Sequence, residues 1–249
     1  MAIPIKNDAE IGKMRTAGHI ARQAFEMAEK LVKPGVTTKE LDKTVLEFLR
    51  SKNAKPSFLN YNGFPGNICV SVNDEVIHGI PGVRKLVCGD IVSIDIGAYI
   101  DGFHGDCART YAVGEVSPEA RRLIDITKRS FFEGIRYARQ NCRLHQISDT
   151  VQKFVEANGF SVVKEYVGHG IGRELHEDPI VPNYKPPSRG AKLYKGMALA
   201  IEPMVNAGID EVEILSNKWT VVTKDGSLSA HYENTVLITD GEPEILTLL

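Results

Sequence analysis

The sequence has few cysteines and little net charge, and both shortages narrow the classes of protein it can represent. Four cysteines in 249 residues, none in C-x-x-C spacing, exclude a disulfide framework and a zinc finger. A net charge of −2 gives no field that would attract nucleic acid or an anionic membrane. No apolar run approaches the roughly 20 residues that span a bilayer, and the first residues lack an apolar signal core. We therefore expect a cytoplasmic monomer that binds neither nucleic acid nor membrane.

Periodic apolar residues and capping signals predict four helices in two pairs. The first helix is predicted over 8–33, and a capping box at Thr37-x-x-Glu40 opens the second. A serine followed by a proline, both favourable at a helix start, opens a third helix over 118–140. A fourth helix is predicted over 146–158. Each pair of helices is followed by predicted strands.

The two pairs of helices belong to a repeat within the sequence. Two predicted strands, 89–95 and 196–202, each carry a carboxylate six residues after a glycine, and coincidental matching is the alternative explanation. We predict one domain over 1–249 with similar halves at roughly 7–113 and 117–240, helices outside and strands facing across a shared cleft. Identical residues 106 positions apart are Ile20 and Ile126, Phe25 and Phe131, Thr44 and Thr150, Val45 and Val151, and Phe48 and Phe154.

Two carboxylates are expected to converge on a hairpin in the first half. The strand around Asp95 is rich in β-branched residues, so a carboxylate within it loses hydration. Asp101-Gly102 is typical of a two-residue turn, which sets Asp95 opposite Ala108 and places Asp106 one diagonal step away. Like charges at that spacing require a proton, a basic side chain or a bound cation between them. A solvated surface hairpin is the alternative, although the apolar strand argues against it.

Three further potential ligands lie in the second half of the chain. His169 is set among three glycines, which let backbone and ligand approach closely. Glu202 and Glu233 each lie in or beside an apolar segment typical of a strand. Four carboxylates and one imidazole suit two divalent ions, which can share a water and lower its pKa. Because no G-x-S-x-G motif is present, these residues favour a metal-dependent hydrolase.

The stretch Y-x-G-H-G-I-G-x-x-x-H-x-x-x-x-V-x-N-Y from Tyr166 to Tyr184 resembles the signature of type I methionine aminopeptidases. The resemblance implies the pita-bread fold, an α/β (α+β) architecture with a pseudo-twofold central antiparallel sheet and helices packed on its outer face. It also implies removal of the initiator methionine from peptides and nascent proteins whose second residue is small, with nascent chains met at the ribosome. The resemblance covers nearly the whole chain, since further matching segments lie at 78–81, 93–95, 101–106, 201–203 and 227–233. The short bacterial form, without an N-terminal zinc-binding extension, fits best.

The resemblance implies a role for each matching residue. Glu202 would move the proton of the attacking water, His176 would hydrogen-bond the scissile carbonyl or its oxyanion, and His78 would contact the peptide nitrogen. Two divalent ions per chain, drawn from Co, Mn, Fe or Zn, would be held by Asp95, Asp106, His169, Glu202 and Glu233, with Asp106 and Glu233 as the bridging pair. The implied methionine pocket consists of Phe58, Tyr61, Phe64, Cys69, Leu175 and Trp219.

Some positions depart from the family pattern, and two rival functions follow from the same fold. Gly97 stands where threonine is common and His231 where glutamine is frequent, while Phe58 and Leu175 also differ from many relatives. A proline-directed aminopeptidase or prolidase would share the five ligands but usually carries an additional N-terminal domain. A non-catalytic pita-bread binding protein is the second rival, and it predicts broken ligands, whereas all five are present.

Overall fold

The computed structural model describes residues 3–248, so Met1, Ala2 and Leu249 at the ends of the predicted domain lie outside the described residues. It contains four α-helices within that range: α1 (Asp8–Glu29), α2 (Thr38–Ser51), α3 (Pro118–Ile135) and α4 (Leu144–Ala157). None of these helices has the length and hydropathy needed to span a bilayer.

Capping signals placed the starts of the first three helices correctly, but two of these helices are shorter than predicted. The fourth helix begins at Leu144, two residues before its predicted start. The Thr37 side chain accepts the N–H of Glu40 at 3.2 Å, and Glu40 reaches back to the N–H of Thr37 at 2.7 Å, which is the predicted capping box. The predicted ends at 33 and 140 are wrong, because the chain leaves each helix through i→i−3 bonds. Ala28 accepts the N–H of Leu31 in the first helix, and the third helix ends in the same kind of turn.

Strands fill the chain after each pair of helices. Every pairing between them is antiparallel. The strands are β1 (Lys55–Pro56), β2 (Cys69–Val72), β3 (Glu75–Ile77), β4 (Ile91–Ile100), β5 (Phe103–Ala112), β6 (Ser161–Val162), β7 (Gly168–Gly170), β8 (Glu177–Val181), β9 (Ala198–Ile201), β10 (Met204–Asn206), β11 (Val212–Ile214), β12 (Val221–Thr223), β13 (Ser229–His231), β14 (Asn234–Leu237) and β15 (Glu244–Ile245).

Two sheets matter most for the site, one from each half of the chain. In the first sheet, β1 and β2 pair with different parts of one edge of β4, and β5 pairs with the other edge along its length. The second sheet has the order β15-β14-β9-β7-β8. They meet where Ala108 of β5 and Glu233 exchange backbone hydrogen bonds of 3.3 and 2.9 Å. A mixed α/β chain with antiparallel sheets and four helices confirms the predicted fold class.

Each sheet has its own apolar core beneath a pair of helices. Phe25 of α1 lies in the cluster under β4 with Ile94, and Phe131 of α3 lies in the cluster under β9 with Leu199. Helices α2 and α4 both have 14 residues and begin 106 residues apart. Because helices cover the outer faces of the sheets, the polar residues of the strands are left to face the cleft between the halves.

Candidate metal centre and active site

The first hairpin places its two acids as the sequence predicts. Its turn is Asp101-Gly102, with φ values of +52° and +84°, the left-handed pair that a two-residue turn of this kind requires. Asp95 is paired with Ala108, so Asp106 lies one diagonal step from Asp95 on the same face. Residues of β4 on both sides of Asp95 are buried, which rules out the solvated hairpin.

The second half contributes ligands from three adjacent strands. Glu202 directly follows β9 and Glu233 directly precedes β14, and pairing of Ile201 with Asn234 sets the two glutamates opposite each other. His169 on β7 is paired with Ala200 of β9. The carboxylates of both halves therefore converge where the two sheets meet.

The structure brings together all five predicted ligands and adds His231. The Nε2 atom of His169 is 3.5 Å from Glu202 Oε1, and the Nε2 atom of His231 is 3.6 Å from Glu202 Oε2. Two groups could each hold an ion, since their ligand atoms lie within 4.8 Å of one another: Asp106, His169 and Glu233, and Glu202, His231 and Glu233.

Several of these atoms are buried without a hydrogen-bond partner among residues 3–248, which an absent cation would explain. They are Asp95 Oδ1, Asp106 Oδ1, Glu233 Oε1 and His231 Nε2. Buried polar atoms are nearly always paired, so four orphans in one cluster indicate a missing ligand. The donor set of carboxylate oxygens and imidazole nitrogens suits hard to borderline divalent ions.

The electrostatics of the cluster lead to the same conclusion. Burial, followed by repulsion from neighbouring acids, raises the pKa values of Asp95, Glu202 and Glu233 well above their ordinary range. Burial raises the pKa of Asp106 to about 7. Burial also lowers the pKa of His169 to about 3, which keeps the imidazole in its neutral, metal-binding form. The cluster therefore disfavours ionised carboxyls unless a cation neutralises their charge.

An apolar pocket opens beside the carboxylates and contains every predicted pocket residue. Phe64 and Trp219 meet edge to face with ring centroids 5.2 Å apart. The prediction missed one lining residue, Asn62. It lies in a short 3₁₀ turn with φ +50°, and no sequence motif marks it. The predicted members of the lining are Phe58, Tyr61, Phe64, Cys69, Leu175 and Trp219, together with His78 and His176.

Two histidines lie at the junction of the pocket and the carboxylates. The Nδ1 atom of His176 is 2.7 Å from the hydroxyl of Tyr61, and its ring centroid is 4.1 Å from that of His169. The backbone of His78 has a left-handed φ of +57°, a conformation that few non-glycine residues adopt. The next residue, Gly79, has no room for a side chain, since a Cβ there would lie 2.2 Å from the carbonyl oxygen of Val70.

Gly97 and Phe58, two of the departures from the family pattern, explain each other. A Cβ on Gly97 would lie 2.9 Å from Cε1 of Phe58 and 2.6 Å from Cβ of Ser57. Ser57 and the ring of Phe58 therefore fill the space that a larger residue at 97 would need. Because Phe58 and Gly97 are 39 positions apart in the sequence, no local pattern links the two departures.

A buried set of acids and imidazoles next to an apolar, aromatic pocket defines a metal-dependent hydrolase with one open binding pocket. The model of metallopeptidase family M24 matches residues 12–240. A methionine aminopeptidase of Clostridium acetobutylicum is 57% identical over 99% of both chains, and methionine aminopeptidase 1 of Bacillus subtilis is 52% identical over 97% of this chain and 98% of its own.

Solved structures agree with these sequence relatives. The crystal structure of methionine aminopeptidase from Rickettsia prowazekii superposes with a TM-score of 0.97 at 41% identity, covering 99% of this chain and all of that one. The chain belongs to metallopeptidase family M24, within its methionine aminopeptidases. Membership confirms the pita-bread fold and the expectation of divalent metal use.

Proposed function

We propose that this chain hydrolyses the peptide bond after an N-terminal methionine, in peptides and nascent proteins whose second residue is small. The observation that carries the proposal is one cavity in which buried, unpartnered carboxylate oxygens meet an apolar aromatic pocket. The first feature supports metal-assisted hydrolysis, and the second supports a thioether side chain, which packs well against aromatic edges. The two full-length relatives described above are methionine aminopeptidases, which favours this function over the proline-directed alternative.

The proposed metal ligands come from both halves of the chain, and we propose two ions per chain. When bound, the ions would act as Lewis acids that lower the pKa of water and polarise the scissile carbonyl. The donor set fits Co, Mn, Fe or Zn. The proposed ligands are Asp95, Asp106, His169, Glu202 and Glu233, of which Glu233 belongs to both candidate groups and Asp106 to one.

Glu202 is the proposed proton carrier. Its side chain is 12% exposed and lines the pocket, so the carboxylate can meet both water and substrate there. Burial raises its pKa, which makes the carboxylate a stronger base, so it can accept a proton from the attacking water and release it to the leaving amine.

His176 and His78 are proposed to bind the two sides of the scissile bond. In the tautomer we propose, the Tyr61 hydroxyl donates to Nδ1 of His176, so the ring carries its proton on Nε2 and can donate it to the carbonyl oxygen. Burial lowers the pKa of His78 to about 4, so a neutral ring is available to hydrogen-bond the peptide nitrogen. Both histidines line the pocket.

Release of free methionine from Met-Ala-Ser and Met-Lys-Ser tests the proposal. Metal-stripped protein, supplemented in turn with Co, Mn, Fe or Zn, is expected to release methionine from the first peptide only. A Glu202→Gln variant keeps the side-chain shape but loses the base, and we expect at least a hundredfold lower rate, in line with loss of general acid–base catalysis. An exposed-site control, His19→Gln, should leave the rate unchanged.

Two outcomes would contradict the proposal. Cleavage of Met-Pro-Ser in strong preference to Met-Ala-Ser would point to a proline-directed enzyme. Absence of methionine release with every metal, from protein shown by circular dichroism to be folded, would favour a binding protein.

We also propose that residues 1–249 form one domain with the internal repeat 7–113 and 117–240. Helices α2 and α4 are equal in length and begin 106 residues apart, which supports this repeat. One candidate group also combines Asp106 of the first half with His169 and Glu233 of the second. The proposed setting is the cytoplasm, where a monomer meets nascent chains, including those still on the ribosome.

A further inference from the structure

The seam between the two halves joins β5 to the chain around Glu233. Its centre is the exchange of backbone hydrogen bonds between Ala108 and Glu233. The guanidinium of Arg109 reinforces this centre, because its Nη1 atom donates to the carbonyls of both residues. In a regular antiparallel pair, the next exchanges of backbone bonds would lie two residues away on each side. At those positions of the seam, the partners are side chains.

A threonine hydroxyl acts as the partner on each side of the centre. Thr235 Oγ1 accepts the N–H of Asp106 at 3.0 Å and donates to the carbonyl of Asp106 at 2.9 Å. Thr110 Oγ1 accepts the N–H of His231 at 2.8 Å and donates to the carbonyl of His231 at 2.9 Å. The two contacts therefore have the same form, and each half of the chain supplies one hydroxyl.

The two contacts differ in the residue that they hold. Thr235 holds Asp106, a proposed metal ligand, whereas the residue held by Thr110 is not among the five proposed ligands. The side chains of Thr235 and Thr110 are 0% and 9% exposed, and neither lines the pocket that would receive a substrate. Each hydroxyl can therefore influence the site only through the backbone that it holds.

The Asp106 contact matters for metal binding because this ligand must meet two others from the opposite half. Ligand atoms of Asp106, His169 and Glu233 lie within 4.8 Å of one another. Without the Thr235 hydroxyl, the buried N–H and carbonyl of Asp106 would both lose this partner, and the strand would shift to satisfy them. Such a shift would move the carboxylate away from His169 and Glu233.

We propose that Thr235 is a positioning residue for metal binding, whose hydroxyl fixes the backbone of Asp106 and so sets the spacing between the Asp106 carboxylate and the ligands His169 and Glu233. This inference rests on the metal site proposed above. Partners that orient metal ligands typically contribute about 10- to 100-fold to metal affinity.

Calorimetric titration of the metal-free protein with zinc tests the inference. Thr235→Val keeps the shape of the side chain but removes the hydroxyl, and we expect the affinity for zinc to fall at least tenfold. Thr235→Ser keeps the hydroxyl and should bind zinc within threefold of the unaltered protein. If Thr235→Val does not fold, as judged by circular dichroism, Thr235→Ala takes its place.

Thr110→Val is the matched control, because it removes the equivalent hydroxyl from the other contact. It should destabilise the metal-free protein at least as much as Thr235→Val, since the Thr110 hydroxyl also bonds to Ser93 Oγ at 2.7 Å. Its zinc affinity should nevertheless change less than threefold, because Ala108 and Arg109 still hold the backbone of Glu233.

Steady-state kinetics at saturating zinc provide a second measurement. We expect kcat for Met-Ala-Ser to fall about tenfold or more in Thr235→Val, while KM stays within threefold, because the pocket lining is unchanged and only the ligand is displaced. In Thr110→Val, kcat and KM should both stay within threefold of their original values.

Three outcomes would overturn the inference: unchanged zinc affinity in Thr235→Val, an equal loss of affinity in Thr110→Val, or a tenfold loss in Thr235→Ser. All three leave the proposed function intact, since methionine release from the unaltered protein tests that function separately. Failure of the unaltered protein to bind zinc, cobalt, manganese or iron would overturn the inference together with the proposed metal site.

Discussion

A buried ion pair between the N-terminal segment and the His176 loop provides a demanding test of the structure. Lys6 Nζ pairs with Glu177 Oε2, and the two side chains are only 4% and 9% exposed. The other oxygen of Glu177 accepts the N–H of Arg173 at 2.8 Å and of Glu174 at 3.3 Å. The pair therefore secures the loop that carries Leu175 and His176, two residues of the pocket.

We predict that Lys6→Met lowers the free energy of unfolding by about 3–5 kcal/mol, because it leaves a buried carboxylate without its partner. Glu177→Gln should cost a similar amount, since it strands the ammonium while keeping an oxygen for the two loop N–H groups. The double variant removes both charges, and its cost should be smaller than the sum of the single costs by about 2 kcal/mol or more.

The pair should also affect catalysis, because His176 adjoins Glu177. A loop that loses this anchor samples positions in which His176 no longer meets the carbonyl oxygen. We expect kcat for Met-Ala-Ser to fall about tenfold or more in Lys6→Met, with a smaller change in KM, since misplacement of a group by about 1 Å can cost that much.

Urea unfolding of the metal-free protein, followed by circular dichroism, measures the stability change. The matched control is Lys153→Met, which removes the exposed pair with Asp149 (2.7 Å, with the lysine 71% exposed) and should cost less than about 1 kcal/mol. If Lys6→Met cost no more than this control, the buried pair would not anchor the loop and the reasoning would fail.

Two further predictions concern the pocket and the charge of the site. Trp219→Ala should raise KM for Met-Ala-Ser about tenfold, because it removes an aromatic contact worth about 1 kcal/mol or more. KM is measured by methionine release, and an unchanged value would place the methionine side chain elsewhere. Because the folded-state pKa of Asp106 is raised to about 7, its protonation stabilises the metal-free fold at low pH, and this contribution is lost as pH rises through about 7. The melting temperature of the metal-free protein should therefore fall between pH 5 and 8, less steeply in Asp106→Asn, and a rise over that window would falsify the assignment.

Local features of the sequence were sufficient for the first hairpin. The Asp101-Gly102 turn fixes a two-residue loop, and the two-residue period of a strand then fixes which side chains share a face. Asp95 and Asp106 were therefore placed correctly before any coordinates were considered. The capping box at Thr37 acted in the same way, because its two partners are three residues apart.

Helix ends were predicted less well than helix starts. An N-cap is specified by side chains in the sequence. The last turns of α1 and α3, in contrast, end in i→i−3 bonds, and no glycine directly follows either helix. Periodic apolar residues continue past both ends, so the pattern extended the helices too far.

Contacts between residues far apart in the chain were decided by the tertiary structure. The position of Asp106 beside Glu233 depends on the hydrogen bonds between Ala108 and Glu233, which are 125 positions apart. Gly97 is explained by Ser57 and the ring of Phe58, and the buried Lys6 by Glu177.

The sequence by itself determined the family, the hairpin that carries two acids and the residue types needed for a metal site. Spacing along a strand or helix is enough for such features, because backbone geometry fixes neighbours a few residues apart. Only the tertiary structure decided that His231 lies beside Glu202 and Glu233. That placement depends on the pairing of β13 with β10, which sets His231 opposite Met204, and no local pattern specifies which strands of the chain will pair.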